Sequence, residues 1–441
     1  MPLTVLIIGA GIGGPALAYA LRRTNPEHRI TVIERHPDLR SSGLQVDLRG
    51  QGITTMRNLG LLGKVKEIGV EEEGLSFVDS RGRAKATFKK NETGKGKQAF
   101  VSEYEFMRGD LVKLLVDASL KDYSGKGEHG EGEGADAEGK GVHYEFNKTV
   151  TELSQDASGV DITFSDGTKG RYDLVVGADG QWSRTRKMLF GAEASDAAFH
   201  SLRLFCAYYT IPRAPDEDST MKMYIAPGAR GMATRSGDRP TTQAYIGMRM
   251  DSAELDKLCG ETPFAKLPAE RQKQVFAELF KDAGWESERL LREMRTAADF
   301  YGHEQGQVRI EHFVKGRVAL LGDAGYCPSA MTGMGTTLAL LGAYVLAGEI
   351  ARHGNGESGE NVPLVLEAYE KTLRPYVDVI QKIAPGVTGL MFPTTKLGIS
   401  LFHKVLGFVE TFKIDKLATR LMPEDKGGLA IPEYSQIKFG A

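Results

Sequence analysis

The chain has 441 residues, with 26% charged and 41% hydrophobic side chains and a formal net charge of −2. That balance predicts a folded, water-soluble protein with no bulk positive field to recruit nucleic acid or an anionic membrane. Three cysteines (Cys206, Cys259, Cys327) are too few and too scattered for a disulfide framework or a zinc site. Glycine is the outlier, at 53 residues, roughly 12% against a usual 7%.

The N-terminus has an apolar run but no basic segment before it, and no stretch reaches the roughly 18 apolar residues of a spanning helix. The expectation is a cytoplasmic protein without a transmembrane segment. Val5–Ile8 reads as a strand buried on both faces, and Gly9-Ala-Gly11-Ile-Gly-Gly14 follows it. Pro15–Arg23 has helical spacing, and Ile30–Ile33 forms a second strand ending at Glu34. Residues 53–68 read as one helix, 75–101 as short antiparallel strands, and Arg108–Leu120 as a helix. Lys121–Gly141 has no periodicity and almost no apolar content, so a disordered surface insertion is expected there.

Strands are predicted at 142–146, 150–153, 160–164 and 174–177. Longer antiparallel strands follow at 202–211, 221–225, 231–235 and 243–250, then helices at 252–259 and 263–282. Val308–Phe313 precedes another buried run, Val318–Leu321, that ends at Gly322-Asp323. A long helix is predicted from Gly335 to His353, and 363–415 is mostly amphipathic helix.

Three motifs carry chemistry. Gly9-x-Gly11-x-x-Gly14, between a strand and a helix, lets a pyrophosphate approach free N–H groups at the helix start; Glu34, about twenty residues on, offers an acceptor for ribose hydroxyls. The whole unit predicts an ADP-containing dinucleotide, NAD or FAD. Gly177-Ala-Asp179-Gly180, with Ser183 and Arg186, reads either as a ligand-binding carboxylate at a strand end or as a capped helix turn. Gly316–Thr337 places Asp323 at the end of a strand and aims the helix start at Gly335 back at a glycine-rich loop. It is either an anion or carbonyl site or a plain strand–loop–helix connection.

Together these motifs resemble the class A flavoprotein monooxygenases of the p-hydroxybenzoate hydroxylase fold, over about residues 3–385. Ser42–Gly50 and Phe106–Leu111 resemble the branch with tetracycline-inactivating and aromatic-polyketide monooxygenases. The resemblance implies an α/β fold: a Rossmann-like FAD-binding domain (1–75, 102–200, 300–385), an inserted antiparallel-sheet substrate domain (76–101, 201–299) and a C-terminal helical segment (386–441). It implies that Gly9, Gly11, Gly14, Glu34 and Arg35 hold the adenosine end of FAD, and that Arg108 contacts the flavin's linker. Asp323 would meet the ribityl chain, Gly335 and Thr336 the isoalloxazine ring, and Asp47 a flavin-contacting position. Arg40 matches a nicotinamide-cofactor contact, and Asp179 belongs to a motif serving both cofactors. The late motif departs from the family's Gly-Asp-Ala-Ala-His and Gly-Gln-Gly-Ala-Asn: this chain has Gly325-Tyr326, Met334 and Thr336-Thr337. Backbone contacts to flavin are expected to survive these changes.

The implied reaction uses NADPH or NADH and O2, through a flavin C4a-hydroperoxide, to hydroxylate, epoxidise or Baeyer–Villiger-oxidise a hydrophobic aromatic or polyketide-like molecule. The cofactor carries that chemistry, and no catalytic acid–base pair stands out in the chain. Tyr208, Tyr224, Tyr245 and Met248 are candidates to line the substrate cavity, with Tyr209 beside them; ordinary sheet packing is the alternative for each. Cys206 and Cys327 read as small buried hydrophobes, and His200 and His303 as core or surface histidines near the cavity. The C-terminal apolar helix, with Leu401, Val405, Leu406, Phe408 and Val409, is expected from the resemblance to pack across the two domains, a peripheral membrane or dimer contact being the alternative, in a monomer or homodimer. Other readings are a reductase or oxidase of the same fold, or a non-catalytic flavin-binding protein. A halogenase of this fold would carry a Trp-rich signature, and this chain has only Trp182 and Trp285.

Overall fold

Val5-Leu6-Ile7-Ile8 forms the middle of a sheet because both of its faces are covered, as its unbroken apolar run requires. The computed structural model describes residues 2–39, 44–90, 104–121, 140–260, 262–353, 360–383, 386, 389, 391–414 and 429–437. Arg40 and nearly all of the 121–141 insertion therefore lie outside the described residues. The central sheet runs β17-β18-β11-β1-β2-β7. Its strands are β1 (Thr4–Ile8), β2 (Arg29–Ile33), β7 (Gly141–Glu145), β11 (Leu174–Gly177), β17 (Val314–Lys315) and β18 (Val318–Leu320). All neighbours are parallel except the β17–β18 pair.

One face of this sheet is covered by α1 (Gly13–Thr24), α4 (Arg108–Leu120), α11 (Gly335–His353) and α12 (Val362–Ile380). The other face packs on a small sheet of β8 (Val150–Gln155), β9 (Val160–Phe164) and β10 (Lys169–Tyr172) and on α5 (Arg184–Phe190), which leads into α6 (Ala192–Ala197). Helix α11 is apolar around its circumference, so it belongs inside: Leu338, Leu340, Leu341, Tyr344, Val345 and Leu346 are all buried. Burying each such side chain contributes about 1.5–3 kcal/mol.

A second sheet runs β16-β12-β15-β14-β13-β4-β5. It comprises β4 (Gly74–Val78), β5 (Ala84–Lys89), β12 (Phe199–Pro212), β13 (Thr220–Ala226), β14 (Arg230–Arg235), β15 (Thr241–Arg249) and β16 (Tyr301–Val308). One face carries α7 (Ser252–Cys259), α8 (Ala269–Phe280) and α9 (Ser287–Thr296) over a core of its own. On the opposite face, α13 (Lys396–Thr411) covers only the β4–β5–β13 end, through Phe402, Leu406 and Val409. Its Leu401, Val405 and Phe408 remain more than half exposed. The remaining elements are α2 (Gln51–Asn58), α3 (Leu62–Glu67), a two-stranded sheet of β3 (Gln45–Asp47) and β6 (Glu105–Met107), and the short α10 (Asp323–Tyr326).

Several boundaries differ from expectation for local reasons. The single helix at 53–68 is two, broken where Gly60 takes φ 70°. The helix expected from 263 begins at Ala269, because Pro263 and Pro268 hold the residues before them out of helical conformation. Strand β16 and helix α9 have no counterpart among the expected elements. Asp323 does not end a strand; it opens α10, after a turn at Gly322 (φ 64°).

The two cores meet through charge. Arg235 on β14 donates from Nε to Glu72 at 2.9 Å and from Nη2 to Glu72 at 3.0 Å, and its Nη2 also pairs with Glu105 on β6. Gln45 Nε2 donates to Glu72 at 3.0 Å and Glu105 at 2.6 Å. Burial pushes the Glu72 carboxyl up, opposed by the Arg235 charge. Arg235→Met would strand two buried carboxylates and is expected to cost about 3–5 kcal/mol in urea unfolding, part of it recovered by adding Glu72→Gln.

A second prediction concerns pH. His28, 2% exposed, accepts the Leu3 N–H at Nδ1 (2.8 Å), and burial lowers its pKa to about 4. A base with a depressed folded pKa stabilises fully above its unfolded pKa near 6.5, and that stability is lost as pH falls toward 4. His28→Gln should therefore lose about 2 kcal/mol less than the native chain between pH 7 and pH 5, measured by urea unfolding at each pH.

Candidate functional site

The strand order reverses between β1 and β11, so the C-terminal ends of these neighbours open the crevice where open α/β sheets bind ligands. Both strands end in motif glycines, and the turns interlock. A Cβ on Gly9 (φ 114°) would sit 2.5 Å from the Ala178 carbonyl oxygen, and one on Gly14 would sit 2.0 Å from the Gly9 carbonyl oxygen. Only glycine permits this turn. Gly11 faces the crevice: a Cβ there would meet Arg108 Nη2, at 3.5 Å. Glu34, just after β2, accepts the Ala10 N–H at 3.0 Å and the His36 N–H at 3.1 Å, which holds its carboxylate beside the glycine turn. Arg35 is exposed and points its Nε to the His36 ring at 3.3 Å.

Asp323, at the start of α10, is solvent-accessible, yet the desolvation of an enclosing cleft raises its carboxyl; a hydrogen bond with Cys327 and the charge of Arg108 oppose the rise. Gly11, Arg108 and Asp323 thus face one cleft. Helix α11 opens into the same region: a Cβ on Gly335 would meet nothing within 4 Å, and Thr336 is half-buried beside it. Arg49 lies near Gly333 and pairs through Nε with Asp47, whose carboxyl burial pushes up. These residues fit a dinucleotide flavin: free N–H groups at two helix starts, room at Gly11 and Gly335, and a carboxylate in the cleft.

Asp179 makes hydrogen bonds within its own turn. Its carboxylate accepts Ser183 Oγ at 2.6 Å and both the N–H and Oγ1 of Thr185 at 3.0 Å, while Ser183 caps α5 by accepting the Arg186 N–H. The capped-turn alternative describes this bonding. Arg186 then donates to the Ala324 carbonyl at 2.9 Å and the Gln181 carbonyl at 3.0 Å, joining the second motif to the third.

Of the four candidate lining residues, the sheet brings two together. Tyr208 and Tyr245 are cross-strand partners with rings edge to face, centroids 5.4 Å apart. They lie on the face that α7–α9 do not cover. Tyr245 Oη accepts the Gln45 N–H at 3.2 Å, and Tyr208 Oη accepts from Gln305 Nε2 at 2.7 Å. Tyr224 and Met248 depart from expectation: they project into the core beneath α8 and α9, where Tyr224 Oη donates to the Ala283 carbonyl at 2.8 Å. Tyr209 is in that core as well.

The polar residues tying wall to cleft were missed. Gln305 Oε1 accepts the Ala330 N–H at 3.4 Å, and Gln307 Nε2 donates to the carbonyls of Pro328 and Gln381, each at 2.9 Å. These bonds anchor the loop that enters α11. A pattern such as Tyr-Gly-His-Glu-Gln-Gly-Gln-Val (301–308) lacks alternating apolar residues, so it gives no strand signal from which to assign a face.

Known proteins agree with this geometry. The chain matches the FAD binding domain family over residues 2–382. It is 40% identical to the FAD-dependent monooxygenase asL6 of Sarocladium schorii, over the full length of both chains. It is 35% identical to the flavin-dependent monooxygenase eupH of a Phoma species, over 98% of each. Its fold superposes on the tetracycline destructase Tet(51) with a TM-score of 0.74 at 27% identity, covering 98% of this chain and 100% of that one. With the interlocked glycine turns, Asp323 and the open start of α11 in one crevice, the chain belongs to the FAD binding domain family and, within it, to the class A flavoprotein monooxygenases.

Proposed function

We propose that this protein is an NAD(P)H- and O2-dependent monooxygenase that oxygenates a hydrophobic aromatic or polyketide-like small molecule in the cytoplasm, in secondary metabolism or xenobiotic breakdown. The observation that carries the reading is the attachment of the Tyr208–Tyr245 face to both sides of the cofactor cleft, to β3 through Gln45 and to the loop before α11 through Gln305. The name of the neighbour Tet(51) gives a tetracycline as its target, which is consistent with a fused-ring substrate here. In this reading residues 1–75, 102–200 and 300–385 form the FAD-binding part, 76–101 and 201–299 the substrate part, and 386–441 a C-terminal helical segment.

The N–H groups at the start of α1, around Gly11, would hold the pyrophosphate, with Glu34 on the ribose hydroxyls and Arg35 and Arg108 adding positive charge. Asp323 would bind the ribityl hydroxyls. The N–H groups of Gly335 and Thr336 would meet the ring's pyrimidine edge, where the α11 dipole favours negative charge. Held by these residues, FAD would supply the redox chemistry, accepting reducing equivalents from NAD(P)H and activating O2. Met223 and the α13 side chains Phe402 and Leu406, packed on Leu75, Phe77, Ala86 and Phe88, would limit water at the apolar end of the substrate face. Phe392 does the same over Gly231, its ring 3.2 Å from where a Cβ would stand.

Purified protein should be yellow and should oxidise NADPH or NADH faster when a fused-ring phenol is added under air, with product heavier by one oxygen atom. Flavin with reduced-nicotinamide consumption but no oxygen gain across an aromatic panel would favour a reductase or oxidase. Flavin without turnover would leave a binding protein, and no flavin would overturn the proposal. A more local test is Gly335→Val. A Cβ at Gly335 would meet no protein atom within 4 Å, so apo stability should change by no more than about 0.5 kcal/mol. Flavin content, read from the visible-to-ultraviolet absorbance ratio, should collapse.

A further inference from the structure

Helix α13 carries more apolar surface than the sheet beneath it uses. Phe402, Leu406 and Val409 pack on β4 and β5, and Ile399 is buried. Leu397, Leu401, Val405, Phe408 and Phe412 are instead between 52% and 80% exposed. At 3.6 residues per turn these five share one side of the helix and form a stripe about 20 Å long. The Phe408 and Phe412 rings lie against each other at its C-terminal end, centroids 4.4 Å apart. Exposed apolar side chains are ordinary when scattered singly, whereas a contiguous stripe marks a surface that meets something other than water.

The charge beside the stripe has one sign. Lys404 borders it and, with Ser400, Thr411 and Lys396, forms an exposed polar flank; Lys413 is exposed just past the C-terminal end. The single acid of α13, Glu410, falls on the opposite side of the helix and is partly buried. Asp79, whose charge reaches His403 from below α13, is paired with Arg83 at 2.8 Å and Lys85 at 3.0 Å. The chain as a whole is at −2, so this positive edge is local to the helix.

An apolar stripe of Leu, Val and Phe with a lysine flank is the chemistry of a helix that lies in the plane of a lipid–water interface. Its apolar side sinks to the acyl boundary while lysine stems reach back to the headgroups. We propose that α13 docks this protein on an anionic lipid surface, with the stripe inserted and Lys396, Lys404 and Lys413 at the headgroups. A second copy of the chain suits the stripe less, because a two-fold contact through it would set the same lysine flank against itself. No helix among the described residues is long and apolar enough to cross a membrane, so the contact is peripheral. The inference rests on α13 alone and goes beyond the monooxygenase reading.

The test sediments the full chain with vesicles of phosphatidylcholine alone or of phosphatidylcholine mixed with phosphatidylserine. Binding to the mixed vesicles should be at least about tenfold stronger, as three lysines near an anionic surface supply, and should weaken as salt rises. Leu401→Glu with Phe408→Glu should abolish binding to both vesicles while melting temperature and flavin content stay as in the native chain. Lys396→Gln with Lys404→Gln should lose most of the preference for phosphatidylserine and keep the weaker binding to phosphatidylcholine. Equal binding to the two vesicles, or binding that survives the double glutamate change, would overturn the proposal. So would a native dimer in analytical ultracentrifugation that the glutamates dissociate, which would assign the stripe to a second copy. A lower melting temperature in the glutamate variant would also overturn it, by showing that the chain itself covers the stripe. Flavin content and NADPH oxidation in the absence of vesicles report on the monooxygenase reading separately.

Discussion

The Arg235 guanidinium, held between the Glu72 and Glu105 carboxylates, sets the relation on which the cleft depends. The apolar side chains form separate cores, one around β1 and α11 and another between the large sheet and α7–α9. Hydrophobic burial stabilises each but is non-directional, so it does not by itself dictate how the sheet faces the cleft. Buried charge is directional. Two carboxylates and one guanidinium out of water are tolerated only in the geometry that satisfies them, and that geometry places β14 and β15 against β3 and β6. Asp47 and Tyr245 are positioned as a consequence, Tyr245 through its bond from the Gln45 N–H.

At the other end of the wall the linkage is neutral. Gln305, Gln307 and Gln381 exchange hydrogen bonds with the carbonyls and N–H groups of 327–330, and Gln381 Nε2 adds bonds to the Val308 and Cys327 carbonyls at 2.7 and 3.1 Å. Amides suit this position because they donate and accept without a charge that would compete with the α11 dipole. The wall is thus fixed by an ion cluster at one edge and an amide cluster at the other. His303 lies on β16, beside the amide edge.

Much of the central sheet was legible because its signals are local. A continuous aliphatic run, a glycine turn and a helical apolar stripe lie within about 30 residues, and the limits expected for α4 and α11 coincide with those observed. Arg235 was not legible, since its partner Glu72 is 163 residues away and a buried ion pair leaves no periodic trace. The face of each long strand was also undetermined. On β15 Ala244, Ile246 and Met248 point to one core while Tyr245 points to the other side, so apolar and aromatic residues alternate without naming which face is the wall. Tyr224 and Met248 fall on the helix-covered side for that reason. The role of Asp179 turned on a choice between ligand and cap that the motif left open, and hydrogen bonds to both of its oxygens describe the cap.

The departures in the late motif now have physical roles. Tyr326 reaches past the cleft into the core, where its hydroxyl lies 2.8 Å from that of Tyr369, which donates to the Leu320 carbonyl at 3.1 Å. It fits because Gly342 leaves the space: a Cβ there would be 2.1 Å from Tyr326 Oη. The residue therefore binds α10 to α11 and α12 instead of facing a ligand. Thr337 Oγ1 accepts the Arg49 N–H at 3.3 Å and donates to the Arg49 carbonyl at 3.1 Å, clamping the chain after β3 to the first turn of α11. Arg49 in turn pairs with Asp47. Both substitutions act on backbone position, so the N–H groups at the α11 start stay aimed into the cleft although the side chains around them differ from the family pattern.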